Sequence, residues 1–436
     1  MAERIYLSLA HMSEAALEKK YMNEAVDTNW VVPLGPNVDA FEQQLQDFFG
    51  KPVAALASGT AAVHLALIAA GVGPGDEVLT QSFTFCASAH PISYIGATPI
   101  FIDSELDTWN MDPQLLEKAI LDRKQKTGRL PKAILPVYLY GMPPKMDEIM
   151  AIARKYGIAV VEDAAEGFGS RFDGCFGGTI GDYGILSFNG NKMITTSGGG
   201  AVICPTAEAK ERVTWYATQA REAYPYYQHE AIGFNYRMSN ICAGIGRGQM
   251  TVARDHIAHH RHVAQLYKKA FANMDGITFH DELPGMESNF WLSTVLLDES
   301  LKVKGEEKAY AQPVKGAVGG AAGVVHSGGA IHTDCEPNVN VETMRLALLA
   351  EGIESRPLWK PMHKQPVYRR TLNGTKLLTE ELADGVVCQT SSSSIAYVNG
   401  ISEHIFHRGL CLPSGPMVRD ADVERIISTI KANTNS

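Results

Sequence analysis

Three short stretches carry residue types whose spacing could do chemistry. In Ala57-Ser58-Gly59-Thr60 an apolar run ends and a helical pattern begins, so Gly59 and Thr60 fall at a helix start. Unpaired N–H groups and the positive end of the helix dipole favour a phosphate there, and the Thr hydroxyl adds a donor. An ordinary Ser/Thr cap has the same pattern. In Val160-Val161-Glu162-Asp163-Ala164-Ala165-Glu166 acids follow a buried run at its carboxyl end, where open α/β sheets take ligands. Such a carboxylate can cap a helix, ligate a metal or pair with a cationic ring nitrogen. In Ser187-Phe188-Asn189-Gly190-Asn191-Lys192 a lysine follows a strand and a turn, although most lysines are surface charges.

The combination is more specific than any one part. A phosphate seat, an acid at a strand end and a lysine 29 residues after Asp163, all on one sheet edge, are the contacts pyridoxal phosphate needs. The helix start would hold the phosphate. The acid would keep the pyridine nitrogen protonated, so that the ring acts as an electron sink. The lysine would form the Schiff base and move the α-proton.

The elements that must position these groups are legible as alternating patterns. Apolar runs at Val53–Ala57, Glu77–Gln81, Thr98–Ile102, Ala133–Leu139, Ile158–Val161, Tyr183–Phe188 and Gly199–Cys204 read as strands buried on both faces. Helical spacing lies between several of them: Ala62, Leu65, Ala66 and Ala69 stopped by Gly71, and Ile149, Ile152, Ala153 and Tyr156 with Asp147 as N-cap and Gly157 as stop. The pattern predicts an α/β fold: a large domain (1–265) with a mainly parallel, seven-stranded sheet between helices, and a smaller α+β C-terminal domain (266–436). A long helical stretch, Asn240–Met274, would lead from one to the other. The second domain would hold strands at Trp291–Leu297 and Ile353–Leu358, helices at Val341–Glu351 and Asp420–Ala432, and a mobile Gly/Ala-rich insertion at about 302–340.

Composition limits the function classes. The 436 residues are 45% apolar and 20% charged, with net charge −9, which excludes a disordered chain and disfavours nucleic acid or anionic membrane as a partner. No apolar run reaches membrane-span length, and the first residues lack a signal-peptide layout, so a cytoplasmic protein is expected. Seven cysteines without a CxxC pair read as reduced thiols. His256, His259, His260 and His262 crowd one helix, but no acid or cysteine completes a ligand set; a solvated helix face is expected there, and no metal.

Longer motifs carry a resemblance. Val32-Pro-Leu-Gly35, Ser58-Gly-Thr-Ala-Ala62, Ser82-Phe-Thr-Phe85, Glu162-Asp-Ala-Ala-Glu166, Ser187 to Lys192 and Gly233-Phe-Asn-Tyr-Arg-Met-Ser239 resemble the DegT/DnrJ/EryC1/StrS nucleotide-sugar aminotransferases over nearly the whole chain. Asn189 to Gly200, Asn289-Phe-Trp-Leu-Ser293, Arg356 to His363 and Gly409 to Gly415 resemble the branch making UDP-4-amino-4,6-dideoxy-N-acetylglucosamine for bacillosamine or legionaminic acid. The resemblance implies the aspartate-aminotransferase-like fold (fold type I), with Lys192 as Schiff-base lysine and acid–base catalyst. It implies Asp163 at the pyridinium nitrogen, Gly59, Thr60 and Ser187 at the phosphate, and Phe83 against the ring face. Glu166 would lie by the 3-oxygen where the family at large often has Gln. Asn235 would reach the phosphate from the neighbouring subunit of a homodimer. Asn29, Trp30, Val31 and Val32 would approach the sugar. Arg356, Pro357, Leu358, Trp359, Lys360 and His363 offer charge and aromatic surface to a nucleotide diphosphate, or else pack the small domain. The implied partners are L-glutamate and a UDP-linked 4-keto-6-deoxy amino sugar. A lysine at 192, where the related sugar dehydratases carry His, favours amine transfer. The alternatives are another nucleotide-linked 4-keto or 3-keto sugar, a non-catalytic regulator binding the same cofactor, and a Rossmann-type dehydrogenase, for which the Gly-rich fingerprint is missing.

Overall fold

In a computed structural model the described residues are 3–304, 335–369 and 377–434. Most of the expected insertion, residues 305–334, lies outside them. Seven strands of the first half assemble as expected: β1 (Val53–Leu56), β2 (Glu77–Gln81), β3 (Thr98–Ile102), β4 (Ala133–Leu135), β5 (Ala159–Asp163), β6 (Tyr183–Ser187) and β7 (Gly200–Ile203). Three strands from the second half extend the same sheet: β8 (Leu378–Glu381), β9 (Val387–Thr390) and β10 (Ile395–Val398). The order is β1-β7-β6-β5-β4-β2-β3-β10-β9-β8. Pairing from β6 through β10 is parallel; β7 runs antiparallel between β1 and β6.

Burial on both faces explains the continuous apolar runs. In β1, Val53 and Ala55 pack on Phe41, Leu45 and Phe49 of the helix Pro36–Phe49. Ala54 and Leu56 face Ala62, Leu65 and Ala66 of the helix Gly59–Ala69. A second core, which includes Val263, Tyr267 and Phe271, covers a four-stranded antiparallel sheet ordered Ile277–Phe279, Ser293–Leu297, Gly409–Leu412 and Arg356–Pro357.

Several boundaries differ from expectation. The boundary at residue 265 falls inside the helix Ala253–Phe271, and residues 378–398 return to the large sheet, so the smaller unit is discontinuous in sequence. The expected helix Asn240–Met274 is two helices, Asn240–Met250 and Ala253–Phe271. The first lies against the helix Leu17–Asp27, where a Cβ at Gly244 or Gly248 would strike the backbone of Tyr21 or Glu18. The chain then tightens through i→i−3 bonds from Thr251 to Gly248 and Val252 to Gln249 before the second helix sets off. Asp147 is not an N-cap: the helix starts at Met146, and Asp147 and Glu148 sit in its first turn, where the dipole favours acids. Among the described residues no helix is long and apolar enough to cross a membrane.

Candidate active site

The phosphate end is built by close approach. Ser58 Oγ accepts the Ala61 N–H at 3.0 Å, and no acceptor among the described residues takes the N–H groups of Gly59 and Thr60. A Cβ at Gly59 would sit 3.0 Å from the Cβ of Ser187, and one at Gly200 would strike the Ser58–Gly59 peptide. Two glycines therefore bring the helix start, the end of β6 and the start of β7 together, leaving Ser187 beside two free donors. That is a cradle for a phosphate.

Successive residues of β5 point to opposite faces, so the clustered acids divide. Glu162 faces inward and accepts bonds from Tyr138 Oη (2.6 Å) and the N–H groups of Gly178, Ile180 and Gly181, anchoring that loop. It is structural. Asp163 accepts from Ser88 Oγ at 2.7 Å and from the Ala165 N–H at 3.1 Å. Burial raises the Asp163 pKa above its ordinary value; the Ser88 and Ala165 bonds and the charge of Lys192 oppose the rise. A buried carboxylate in this condition gains by meeting a cation, which suits a protonated ring nitrogen.

Lys192 Nζ lies 3.0 Å from Glu166 Oε1, and Glu166 Oε2 accepts the Tyr140 N–H at 2.8 Å. Burial raises the Glu166 pKa against the Lys192 charge and those bonds. On its other side Lys192 faces the ring of Trp291, 4.1 Å from Nζ to centroid. Trp359 continues this wall: its centroid lies 6.2 Å from Trp291, 4.9 Å from Tyr140 and 5.4 Å from Phe85. Phe83, expected against the ring face, is instead fully buried in the core, while Phe85 is 51% exposed beside Trp359. Sequence reasoning missed Ser88, Tyr140 and Trp291. Phe85 and Trp291 stood inside quoted motifs, with nothing in the pattern to separate them from packing residues.

The expected substrate residues divide as well. Leu358 is a buried core residue against Gly409 and is not free to touch a ligand, while Pro357 is half-buried and pairs with Leu410 in the small sheet. Arg356 is held by Glu354 at 2.9 Å, and Lys360 is half-buried. His363 is buried: its Nδ1 lies 2.6 Å from Ser82 Oγ and its Nε2 3.1 Å from Glu403, a tether between β2 and the 356–364 segment. Asn29, Trp30, Val31, Val32 and Asn235 are exposed, and none hydrogen-bonds Lys192, Asp163 or Glu166. A cavity of about 720 Å³, lined by residues from Gln219 to Gly233, adjoins Asn235 in sequence and does not include Lys192.

The expected solvated face holds only for His262, which is exposed, while His259 is half-buried. His256 and His260 are buried, with Nδ1 on the carbonyls of Met193 and Phe290, and burial pushes the His260 imidazole down to about 3. His259 meets the Val418 carbonyl and His262 meets Asp420. No group of three or more His, Cys, Asp or Glu suited to a metal occurs among the described residues.

Residues 12–317 match the DegT/DnrJ/EryC1/StrS aminotransferase family. The chain is 42% identical over 431 residues (99% of it, 96% of the relative) to Bacillus subtilis EpsN, whose name assigns it provisionally to the pyridoxal phosphate-dependent aminotransferases. It is 32% identical to the GDP-perosamine synthase of Escherichia coli O157:H7, covering 98% of both chains. The crystal structure of a DegT DnrJ EryC1 StrS aminotransferase from Brucella abortus superposes with a TM-score of 0.78 at 26% identity, covering 97% of this chain and 96% of that one.

Proposed function

The chain belongs to the DegT/DnrJ/EryC1/StrS aminotransferase family, whose members depend on pyridoxal phosphate, and on that premise we propose a specific reaction for it. It moves the amino group of L-glutamate to C4 of a UDP-linked 4-keto-6-deoxy-N-acetylhexosamine, giving UDP-4-amino-4,6-dideoxy-N-acetylglucosamine. The observation that carries an amine-transfer reading is the placement of Lys192 Nζ, 3.0 Å from Glu166 on the sheet edge that also holds Asp163 and the Gly59 helix start.

Pyridoxal phosphate, when bound, supplies an electron sink for the charge left when a proton leaves the α-carbon. The chain's residues do the rest. Gly59, Thr60 and Ser187 bind the phosphate through the helix start. Asp163, steadied by Ser88, keeps a proton on the ring nitrogen. Lys192 takes and returns the substrate proton at Nζ, and Glu166 supplies its counter-charge. Phe85, in place of Phe83, offers the aromatic face beside the ring. Trp359, with Arg356, Lys360 and the Asn29–Val32 segment, faces the sugar nucleotide, and Asn235 reaches the phosphate of a second copy in a cytoplasmic homodimer.

The 32% identity to GDP-perosamine synthase favours one second reading, a GDP-linked 4-keto sugar. Product NMR after incubation with glutamate and each nucleotide sugar separates the two. Purified protein is expected to be yellow and to bleach with glutamate; a colourless protein that takes up neither cofactor nor glutamate overturns both.

A further inference from the structure

We infer that Trp291 is a positioning residue: with Glu166 it forms a seat that holds the Lys192 ammonium during the part of each turnover when that amine is not joined to the cofactor. This rests on the reading above, in which Lys192 is the residue that takes the cofactor. A transaminase must release its lysine while the cofactor carries the amino group and then recover it, so the released amine needs a place close by. The geometry provides one. Nζ lies 3.0 Å from the Glu166 carboxylate on one side and 4.1 Å from the Trp291 ring centroid on the other, within the range where an aromatic face attracts a cation.

Both walls of the seat are fixed by one side chain. Asn289 Nδ2 donates to the backbone carbonyl of Glu166 at 2.7 Å and to that of Phe168 at 3.0 Å, while its Oδ1 accepts the Trp291 N–H at 2.8 Å. Gly141 is required beneath it, because a Cβ there would fall on Asn289 Oδ1. Tyr140, in the left-handed region at φ 55°, repeats the tie: its N–H meets Glu166 at 2.8 Å and its carbonyl accepts the Leu292 N–H. Phe290, between Asn289 and Trp291, is also left-handed at φ 47°. Backbone strain at two residues around one lysine is what an over-determined functional site shows. The indole closes the loop, since Trp291 Nε1–H donates to the carbonyl of Asn191, the neighbour of Lys192, at 2.7 Å.

The test separates the ring face from that hydrogen bond. Trp291→Phe and Trp291→Leu both lose the Nε1–H donor, but only Phe keeps an aromatic face. In cofactor-free protein, amines are acetylated with trace acetic anhydride, and Lys192 is followed by peptide mass spectrometry against the exposed Lys19. A cation–aromatic contact converts to about 2- to 30-fold. Trp291→Leu should label Lys192 faster than wild type by about that factor, and Trp291→Phe should stay close to wild type. Trp291→Met serves the same comparison if Leu disturbs the fold. Equal labelling in wild type and Leu, or the same increase in Leu and Phe, overturns the inference. Borohydride reduction of the loaded wild type tests the underlying reading separately: pyridoxyl label on a lysine other than 192 refutes that reading, whatever the acetylation shows.

Discussion

The Lys192 end of the site and the segment from 219 to 235 are built on opposite terms. Around Lys192 the charged groups are buried and matched within the chain: Asp163 by Ser88, Glu166 by Tyr140 and Lys192. Along 219–235 large apolar side chains stand in water, with Tyr227 77% and Ile232 85% exposed, Tyr224 and Tyr226 also exposed, and Asn235 at the end. A cluster of this kind marks a surface that meets another molecule. The contrast supports the homodimer proposed above: the charged groups around Lys192 find partners within one chain, and an exposed surface carries the residue assigned to the second copy's phosphate.

Four experiments break or sharpen this contrast. The largest effect belongs to the closed end: Lys192→Ala should lose turnover by about 10⁴-fold or more, as when a single catalytic group is removed, and should show no yellow colour. Full activity in that variant refutes the assignment. Next comes the open end. Asn235→Ala should weaken cofactor binding about ten- to a hundredfold, from a charge-assisted hydrogen bond of roughly 1.5–3 kcal/mol. Mixing Asn235→Ala with Lys192→Ala subunits should restore part of the activity, because a hybrid dimer has one site with both native residues. If subunits exchange and activity stays at the level of the separate mutants, the site belongs to one chain.

A smaller loss is expected from Ser88→Ala, which removes one of the two bonds to Asp163 and leaves the Ala165 N–H. A fall in kcat/KM of about tenfold should accompany it, with the yellow colour retained; an unchanged kcat/KM would show that Ser88 does not steady Asp163. The smallest concerns the tether under the substrate segment. Burial alone would raise the Glu403 pKa, but bonds from His363 and Lys364 outweigh it and hold the carboxyl at about 2. Because its folded pKa is depressed, the stability it adds is present above its ordinary value of 4.5 and is lost as pH falls toward 2. Glu403→Gln should lower the thermal midpoint by about 1–2 °C near neutral pH, since the group is partly exposed. The gap from wild type should close as the medium is acidified below pH 4.5; a gap that widens there refutes the tether.

The parts of the molecule legible in sequence were those where one physical cause acts alone. β2 and β3 could be bounded to the residue because each is buried along nearly its whole length and shows no solvent-facing alternation. Asp163, Gly59 and Lys192 could be placed on one edge because strand ends and helix starts carry their own signals. The resemblance pointed to Phe83, but the motif Ser82-Phe-Thr-Phe85 does not tell which of its two aromatic side chains the fold leaves open: Phe83 is buried, and Phe85 is exposed beside Trp359. β8 to β10 carry weaker signals for a different reason: Leu378-Thr-Glu-Glu381 is exposed along its length and pairs with β9, while Ile395-Ala-Tyr-Val398 is a short run after four serines that gains its place in the core beside β3. The histidine face misled because an imidazole on a backbone carbonyl and one in water have the same spacing.

The late entry of β10 has a consequence for synthesis. The apolar strand Thr98-Pro-Ile-Phe-Ile102 leaves the ribosome early, yet the neighbour that covers its outer edge, Ile395–Val398, lies about 290 residues further along the chain. At roughly 5–20 residues per second that interval lasts about 15–60 s, during which a paired but incomplete sheet offers an open edge. Pro99 removes one backbone donor from that edge, which blunts it as a template for other nascent chains.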